Sequence, residues 1–270
     1  MTPAVLTEIR DSVAIVTLNR PAIHNAVNPE MLVRLADAWA ALDANRDVRA
    51  AILTGAGEKA FSVGADLGRL TPLLTGARPP EDEWDRRFLD DPRINDMAML
   101  RGKFDFSKPL IAAIKGYCYA GAMELMTATH MRVASETASF ALQETKWALA
   151  PTRGSLARLP DQIPYCKVME LFLTAKPIDA RDALSWGLVN YVVPQGEVMV
   201  KALELAGVVA ENGPLGIRKT IEGVRECVGK TLQERFKIED EIFVQLNSSE
   251  DAREGPRAFL EKRKPRYKGA

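Results

Sequence analysis

Short runs of β-branched and apolar residues alternate with helical patterns along the N-terminal part of the chain. Residues 13–18 read VAIVTL, and similar apolar runs cover residues 48–54 and 110–115. Asn28 and Pro29 offer an N-cap and a proline at the first helical position. Behind them, apolar residues recur at the three- and four-residue steps of an amphipathic helix: Leu32, Leu35, Trp39 and Leu42. Strands that alternate with helices predict an α/β fold with parallel strand pairs.

The C-terminal part of the chain changes from this alternation to helices alone. Before the change, we predict strands at 131–135, 139–142 and 188–193, and helices at 167–175 and at 179–187, the second capped by Asp179. From Glu197 onward four helical segments follow: 197–211, 214–228, 231–247 and 250–264. We therefore divide the chain into a core, residues 1–196, and a C-terminal helical region, residues 197–270. The apolar faces of these helices can pack on the same core or on a neighbouring subunit.

Composition limits the classes of partner. Lys plus Arg and Asp plus Glu both total 36, so the zero net charge favours neither nucleic acid nor an anionic membrane as a partner. Three scattered cysteines indicate a reducing compartment without a disulfide framework or a zinc cluster. We predict a cytoplasmic protein, because the chain shows neither a signal peptide pattern nor an apolar run of membrane-spanning length. The basic run at 261–268 is either a solvated tail or an anion-binding segment.

The stretch from Lys108 to Ser135 joins a buried strand to a helix through a turn of small residues, Ala120-Gly121-Ala122. Small residues let a ligand approach the main chain, and a helix start presents N–H groups that suit a developing oxyanion. Glu124 falls in the first turn of that helix. Its carboxylate can complement the helix dipole, which is the commoner role in a first turn, or act on a ligand.

A second turn, Gly64-Ala65-Asp66, also follows a strand, and alone it is typical of a simple strand-to-helix corner. Two such turns from different parts of a sheet can supply two converging N–H donors for an enolate-like oxygen. Glu144 follows a short apolar strand and precedes the loop at 151–155. By itself it is typical of a surface carboxylate.

Several motifs occur together that resemble those of the crotonase, or enoyl-CoA hydratase/isomerase, family over nearly the whole chain. They are LNRP with Asn25-Ala26, FSVGADL at 61–67, KPLIAAIKGY with AGAMEL, Gln143-Glu144, AKPIDARDALSWGLVNYVV and AFLEKRK. The resemblance implies an α/β fold of the crotonase (ClpP-like) type, a superhelix of repeated ββα units with a C-terminal helical trimerisation region. It also implies an acyl-CoA thioester as substrate and a homotrimer or a dimer of trimers.

The same resemblance assigns catalytic roles to four residues. The backbone N–H groups of Ala65 and Gly121 match the family's oxyanion hole for the thioester carbonyl. Glu124 and Glu144 match the two catalytic glutamates of the hydratases. Because family members with isomerase activity commonly lose the first glutamate, the presence of both favours an enoyl-CoA hydratase. The reaction implied needs no metal and no cofactor apart from the coenzyme A of the substrate.

Coenzyme A contacts follow from the resemblance in the same way. The main chain near Val63 and Leu67 would meet the adenine. Phe259 and Lys262 could help to enclose the coenzyme, from the same or from a neighbouring subunit. A lysine that often follows the Arg-Pro pair of the family is absent, because Ala22 stands there.

Other departures and alternatives concern the acyl group and the reaction. The family's Pro-Gly-x-Gly-Gly loop is replaced by PTRGS at 151–155, which alters the expected acyl pocket. We expect the long connection at 71–107 to line or cover that pocket with its apolar residues: Trp84, Phe88, Ile94, Met97 and Leu100. Trp147 is a candidate pocket wall. The alternatives are an isomerase, a hydratase-lyase, an acyl-CoA hydrolase, or a non-catalytic acyl-CoA-binding oligomer.

Overall fold

The computed structural model describes residues 2–102 and 106–269, whose strands form two sheets. In chain order the strands are β1 (Val5–Arg10), β2 (Val13–Leu18), β3 (Ala50–Gly55), β4 (Ala60–Ser62), β5 (Leu110–Ile114), β6 (Tyr117–Tyr119), β7 (Met131–Ser135), β8 (Ser139–Ala141), β9 (Ile178–Asp179) and β10 (Tyr191–Val193). The larger sheet has the order β1-β2-β3-β5-β7-β10, and the smaller has the order β4-β6-β8-β9.

Helices follow most strand pairs, and the described elements beyond β10 are all helices. They are α1 (Pro29–Ala44), α2 (Leu70–Leu74), α3 (Glu83–Asp90), α4 (Arg93–Ala98), α5 (Gly121–Met126), α6 (Ser155–Arg158), α7 (Tyr165–Thr174), α8 (Ala180–Ser185), α9 (Val198–Glu211), α10 (Pro214–Cys227), α11 (Leu232–Asn247) and α12 (Glu250–Leu260). All four helices predicted beyond residue 196 are present within a few residues of the expected bounds. The functional division of the chain at that point stays a prediction.

The strands repeat in pairs that are shared between the two sheets. β3, β5 and β7 lie in the larger sheet, and each is followed directly by a strand of the smaller sheet, β4, β6 or β8. β2, β3, β5, β7 and β10 pair in parallel in the larger sheet, as do β4, β6 and β8 in the smaller one. The predicted α/β fold with parallel pairs is therefore confirmed, and its ββα repeats are visible.

Helix α1 begins as its sequence predicts. The Asn28 side chain accepts a hydrogen bond from the Met31 N–H, and Pro29 occupies the first turn. One face of the helix is buried, and Trp39 on that face is fully buried, with its indole N–H donating to the Ala98 carbonyl at 3.2 Å. The segment after residue 70 packs on this helix.

That segment, predicted as one long connection, contains α2, α3 and α4. Asp82 caps α3 by accepting from the Asp85 N–H, and buried Asp85 pairs with Arg78. Phe88 and Ile94 are buried in the main core, where α3 and α4 pack against α1. They are therefore core residues, and the expectation that this segment lines or covers the acyl pocket stays a prediction.

The sequence patterns predict neither the edge strand β1 nor the short strands β4, β6 and β9, and they overextend one other strand. β1 did not appear as an apolar run, because only Val5 of its six residues is buried in this antiparallel edge strand. The strand expected over 188–193 is limited to Tyr191–Val193, because Leu188 and Val189 pack in the core before the strand begins. The missed edge strand and the shortened strand both reflect tertiary burial, which the local pattern does not record.

The C-terminal helices differ in what they cover. α9 packs on the larger sheet, with Val198, Ala202 and Ala206 fully buried. α10 and α11 pack on each other, and apolar residues of both remain exposed. Within residues 2–102 and 106–269, no helix combines the length and apolar character needed to cross a membrane.

Candidate active site

The candidate residues follow three neighbouring strands of the smaller sheet. Ala65 comes three residues after β4, Gly121 comes two residues after β6, and Glu144 comes three residues after β8. Since β4, β6 and β8 are parallel, their carboxyl ends lie at one edge of the sheet. Ligands of α/β proteins bind at this edge, because loops from adjacent strands converge there. The smaller sheet therefore brings together residues that lie far apart in the sequence.

The two small-residue turns touch each other. Gly64 has a φ of +82°, and a Cβ placed on it would lie 2.8 Å from the Gly121 nitrogen. A Cβ placed on Gly121 would lie 3.9 Å from the Ala65 nitrogen. Neither the Ala65 nor the Gly121 N–H donates a hydrogen bond to another residue in the described ranges. Both N–H groups therefore lie in touching turns without an acceptor among the described residues, which is compatible with the oxyanion hole expected there.

Ala120 carries backbone strain at the start of α5. Its φ of 49° and ψ of −128° lie in a region that favours glycine. Hydrogen bonds on both sides hold this conformation: the Ala120 N–H donates to the Ala141 carbonyl, and the Glu124 N–H donates to the Ala120 carbonyl. The turn thus keeps the shape that presents Gly121, although the small residue beside it is an alanine.

A buried polar group supports the first turn. Asn25 is 0% exposed, and its side-chain amide donates to the Ala60 and Phe61 carbonyls of β4. Arg20 pairs with Asp66 at 2.9 Å, next to Ala65. The recognisable LNRP, Asn25 and FSVGADL motifs therefore meet in space, where they fix the main chain that leads to the Ala65 N–H.

Glu124 is held by main-chain donors from a distant loop. Its side chain is buried, and its Oε1 accepts from the Arg153 N–H at 2.7 Å and from the Ser155 N–H at 3.2 Å. Burial raises the pKa of this carboxyl, and these two hydrogen bonds partly offset the rise. Since both bonds come from the 151–155 loop, interaction with the helix dipole alone does not account for the position of this carboxylate.

Glu144 lies in a different environment at the same edge of the sheet. It begins a 3₁₀ turn, Glu144–Trp147, and its Oε2 is buried without a hydrogen-bond partner in the described part of the chain. Burial, with a smaller contribution from the charge of Glu124, raises the pKa of Glu144 to about 7. The two carboxyl groups are therefore electrostatically coupled. Hydrogen bonds fix the Glu124 carboxylate, whereas Oε2 of Glu144 has no partner among the described residues.

The residues predicted to contact coenzyme A are only partly brought together. Val63 and Leu67 flank the Ala65 turn, and the Leu67 side chain is 62% exposed. Phe259, which is 83% exposed, and Lys262 lie at the end of α12. Among the described residues, no hydrogen bond or ion pair links either of them to the other candidate residues, so their roles stay predictions. Trp147 is exposed on the 3₁₀ turn that Glu144 begins.

Sequence reasoning missed the contribution of Arg153 and Ser155 to the site. Their main-chain N–H groups hold Glu124, and Gly154 between them has a φ of +141° that favours glycine. A main-chain donor has no side-chain signature, so only the departure from the family's loop at 151–155 marked this position. That departure was expected to affect the acyl pocket, yet the loop also contacts a candidate catalytic carboxylate.

Comparison with known proteins shows the family of the chain. A profile of the enoyl-CoA hydratase/isomerase family matches residues 8–270. Enoyl-CoA hydratase EchA19 of Mycobacterium tuberculosis is 42% identical over 265 residues, which cover 98% of this chain and 96% of that protein. Carnitinyl-CoA dehydratase of Proteus mirabilis is 35% identical over 264 residues, 96% of either chain.

Solved structures show the same fold. A crystal structure of an enoyl-CoA hydratase from Mycobacterium tuberculosis superposes with a TM-score of 0.86 at 36% identity and covers 100% of both chains. An enoyl-CoA hydratase from Bacillus anthracis superposes with a TM-score of 0.88 at 32% identity, over 99% of this chain and 100% of that one. The predicted crotonase-type fold is confirmed, and the chain belongs to the enoyl-CoA hydratase/isomerase family.

Proposed function

We propose that the protein is an enoyl-CoA hydratase, which adds water across the 2,3 double bond of an enoyl-CoA thioester. One observation carries the proposal: two coupled carboxyl groups, Glu124 and Glu144, lie at the same sheet edge as two main-chain N–H groups that have no acceptor among the described residues. The product is a 3-hydroxyacyl-CoA. The addition is redox-neutral, so it needs no cofactor beyond the coenzyme A of the substrate.

The Ala65 and Gly121 N–H groups would bind the thioester carbonyl oxygen. As water attacks C3, negative charge moves through C2 to this oxygen, and the two donors stabilise the resulting enolate. Removing one oxyanion-hole donor costs about 10²–10³ in rate in other enzymes. Because the donors are main-chain groups in hydrogen-bonded turns, they need not reorganise when the charge develops.

The two carboxyl groups would divide the proton transfers. Glu124, fixed by Arg153 and Ser155, orients the attacking water and takes one of its protons as the C3–O bond forms. Glu144, whose raised pKa favours its protonated form, gives a proton to C2. The proton on Glu124 then returns to Glu144 through solvent, which restores the starting state with every atom of water placed in the product.

Rates with crotonyl-CoA and a longer enoyl-CoA test this proposal. We expect loss of the enoyl thioester absorbance with the wild type, and rates lowered by about 10²–10⁴ in Glu124→Gln and in Glu144→Gln, because each removes one proton transfer. Glu136→Gln, which changes an exposed glutamate in the turn after β7, is the matched control and should retain wild-type rates.

Product analysis separates hydration from the rival reactions. A hydratase gives a 3-hydroxyacyl-CoA in reversible balance with the enoyl ester, whereas an isomerase moves the double bond and a hydrolase releases free coenzyme A. Full activity in both glutamine variants would overturn the assignment of these residues. Tight acyl-CoA binding without turnover of any enoyl ester would favour a non-catalytic binding protein.

A further inference from the structure

Ala65 lies in a short bridge between the turn after β4 and the chain before α1. The Val27 N–H donates to the Gly64 carbonyl at 2.8 Å, and the Asp66 N–H donates to the Val27 carbonyl at 2.9 Å. In a parallel pairing of this kind, the residue between the two bonded groups directs its own N–H to the opposite side. The Ala65 N–H therefore points away from Val27, and its direction depends on where Val27 lies.

The loop before Val27 is shaped by Arg20. Its main-chain N–H donates to Asn25 Oδ1 and its carbonyl accepts from the Asn25 N–H, both at 2.9 Å. His24 and Asn25 have φ values of 54° and 55°, in the left-handed region that is costly for residues other than glycine. Arg20 Nη1 donates to the Ala26 carbonyl at 2.6 Å, one residue before Val27. Arg20 thus holds a strained loop closed immediately before the bridge.

The same nitrogen joins this loop to the residue after Ala65. Arg20 Nη1 also donates to Asp66 Oδ2 at 2.9 Å, and the two side chains are 20% and 15% exposed. The other carboxylate oxygen, Oδ1, accepts from the Gly68 and Arg69 N–H groups at 3.0 and 3.1 Å. Partial burial reduces screening by water, so these two charges attract more strongly than those of an exposed pair. One ion pair therefore fixes both sides of the bridge that holds Ala65.

An ion pair at this position can serve stability alone, or it can also set the direction of the Ala65 N–H. A pair that serves stability alone would alter the melting temperature and leave the folded site unchanged. Oxyanion stabilisation needs more than a folded turn, because a donor must lie about 2.7–3.1 Å from the oxygen that acquires charge. A displacement on the order of 1 Å can cost about 10² in rate. Loss of the ion pair would therefore displace the Ala65 N–H even where the chain stays folded.

We propose that Arg20 and Asp66 are positioning residues that direct the Ala65 N–H at the thioester carbonyl oxygen of the substrate. They act through the main chain of residues 26, 27 and 64–66, without touching the reacting atoms. This role rests on the proposed function, since it takes the Ala65 N–H as one of the two donors to that oxygen. Polarisation of the substrate carbonyl then depends on a charge pair that lies outside the reacting groups.

The infrared stretching frequency of the bound thioester carbonyl measures this effect without turnover. A hydrogen bond weakens the C=O bond, so polarisation lowers the frequency. Butyryl- and decanoyl-CoA labelled at the carbonyl carbon are suitable probes, because a saturated thioester cannot be hydrated. The variants are Arg20→Met, Asp66→Asn, their combination and Arg20→Lys. The control is Glu58→Gln, which neutralises a carboxylate paired with Lys115 at 2.9 Å, two residues before β4 and at its other end.

In the wild type the carbonyl frequency should fall on binding. At least half of that shift should be lost in Asp66→Asn and in Arg20→Met. The double variant should lose no more than Arg20→Met, because the two side chains act as one pair. Arg20→Lys should restore part of the shift, since its ammonium keeps the charge, and Glu58→Gln should keep all of it. In hydration assays, kcat should fall by about 10–10² in Arg20→Met, while KM changes by less than about threefold.

The proposal is overturned if the full carbonyl shift persists in a folded Arg20→Met or Asp66→Asn variant, or if Glu58→Gln loses the shift equally; the hydratase proposal then still stands. Should Arg20→Met not fold, Asp66→Asn decides, because it removes the charge and keeps a side-chain oxygen for the Gly68 and Arg69 N–H groups. A shift that depends on the pair supports the inference even without hydration, which would indicate another reaction at the same site. No shift in the wild type would overturn both this inference and the oxyanion-hole assignment.

Discussion

At the scale of single residues, Glu124 and Glu144 illustrate how surroundings assign roles to identical side chains. One oxygen of Glu124 accepts hydrogen bonds from two main-chain donors, whereas Glu144 has a buried oxygen with no partner in residues 2–102 and 106–269. Burial raises the pKa of both carboxyl groups, and each negative charge disfavours the other. The pair therefore tends to hold a single proton over a range of pH, which is the state that acid–base chemistry requires.

We expect a bell-shaped dependence of kcat/KM on pH. A raised pKa keeps Glu144 protonated below about pH 7, and above that value the pair loses its last proton, so the hydration rate should fall. At low pH both groups are protonated and the rate should fall again. Initial rates across pH would show the two limbs.

Dehydration of the 3-hydroxyacyl-CoA provides an internal control for this profile. The ratio of kcat/KM in the two directions equals an equilibrium constant, and hydration releases no net proton. Both directions should therefore share one alkaline limb near pH 7. A hydration rate that stays constant through this range would show that the pair does not carry the proton transfer.

At the scale of elements, the site depends on close contact between two strand-to-helix turns. The turn after β4 and the turn before α5 meet at Gly64 and Gly121. They lie so close that a Cβ atom on Gly64 would clash. The Asn25 side chain stabilises the first turn by donating hydrogen bonds to two carbonyls of β4. The Ala141 carbonyl of β8 stabilises the second by accepting from the Ala120 N–H. Each N–H donor is thus positioned by a neighbouring element.

Gly64→Ala should move the Ala65 and Gly121 N–H groups apart. The new Cβ would lie 2.8 Å from the Gly121 nitrogen and 2.9 Å from the Tyr119 carbonyl oxygen, so the turns must move apart. We expect kcat to fall by about 10² or more. Gly76→Ala is the matched control, because Gly76 has a similar φ of +73° but nothing within 4 Å of the new carbon.

The left-handed backbone should cost each variant about 1–2 kcal/mol in free energy of unfolding, and the clash should add to this in Gly64→Ala only; denaturant unfolding measures both. Equal kcat in the two variants would mean that the contact between the turns does not position the donors.

At the scale of the whole molecule, the C-terminal helices leave a large apolar surface uncovered. α10 and α11 expose apolar side chains along one groove: Val224, Val228, Leu232, Phe236 and Phe243. Soluble monomers rarely expose a contiguous apolar patch of this kind, because its burial is favourable. We therefore infer that a second copy of the chain covers this surface, in line with the trimer that the sequence resemblance implies.

Light scattering after gel filtration should give a mass of three or six times 29.7 kDa. The double substitution Phe236→Glu and Phe243→Glu should lower the mass, because charges in an apolar interface are costly to bury. Val200→Glu on α9, another exposed apolar position, should leave it unchanged. A monomeric wild type would contradict the inference.

The sequence by itself determined the features that depend on near neighbours. The three-residue and four-residue steps after Asn28 predict α1, the apolar runs predict β2, β3 and β5, and the motifs predict the family. These properties are encoded within short stretches, since caps, periodicity and turns involve residues a few positions apart. Short elements such as α2 and edge strands such as β1 lack enough local signal.

Only the tertiary structure decided which distant groups meet. Parallel pairing of β4, β6 and β8 aligns Ala65, Gly121 and Glu144 at one edge, and the 151–155 loop reaches Glu124 through main-chain N–H groups that have no side-chain signature. Burial then raises the pKa values of the two glutamates. Solvent exclusion and long-range pairing are properties of the whole packed chain, so no local pattern records them.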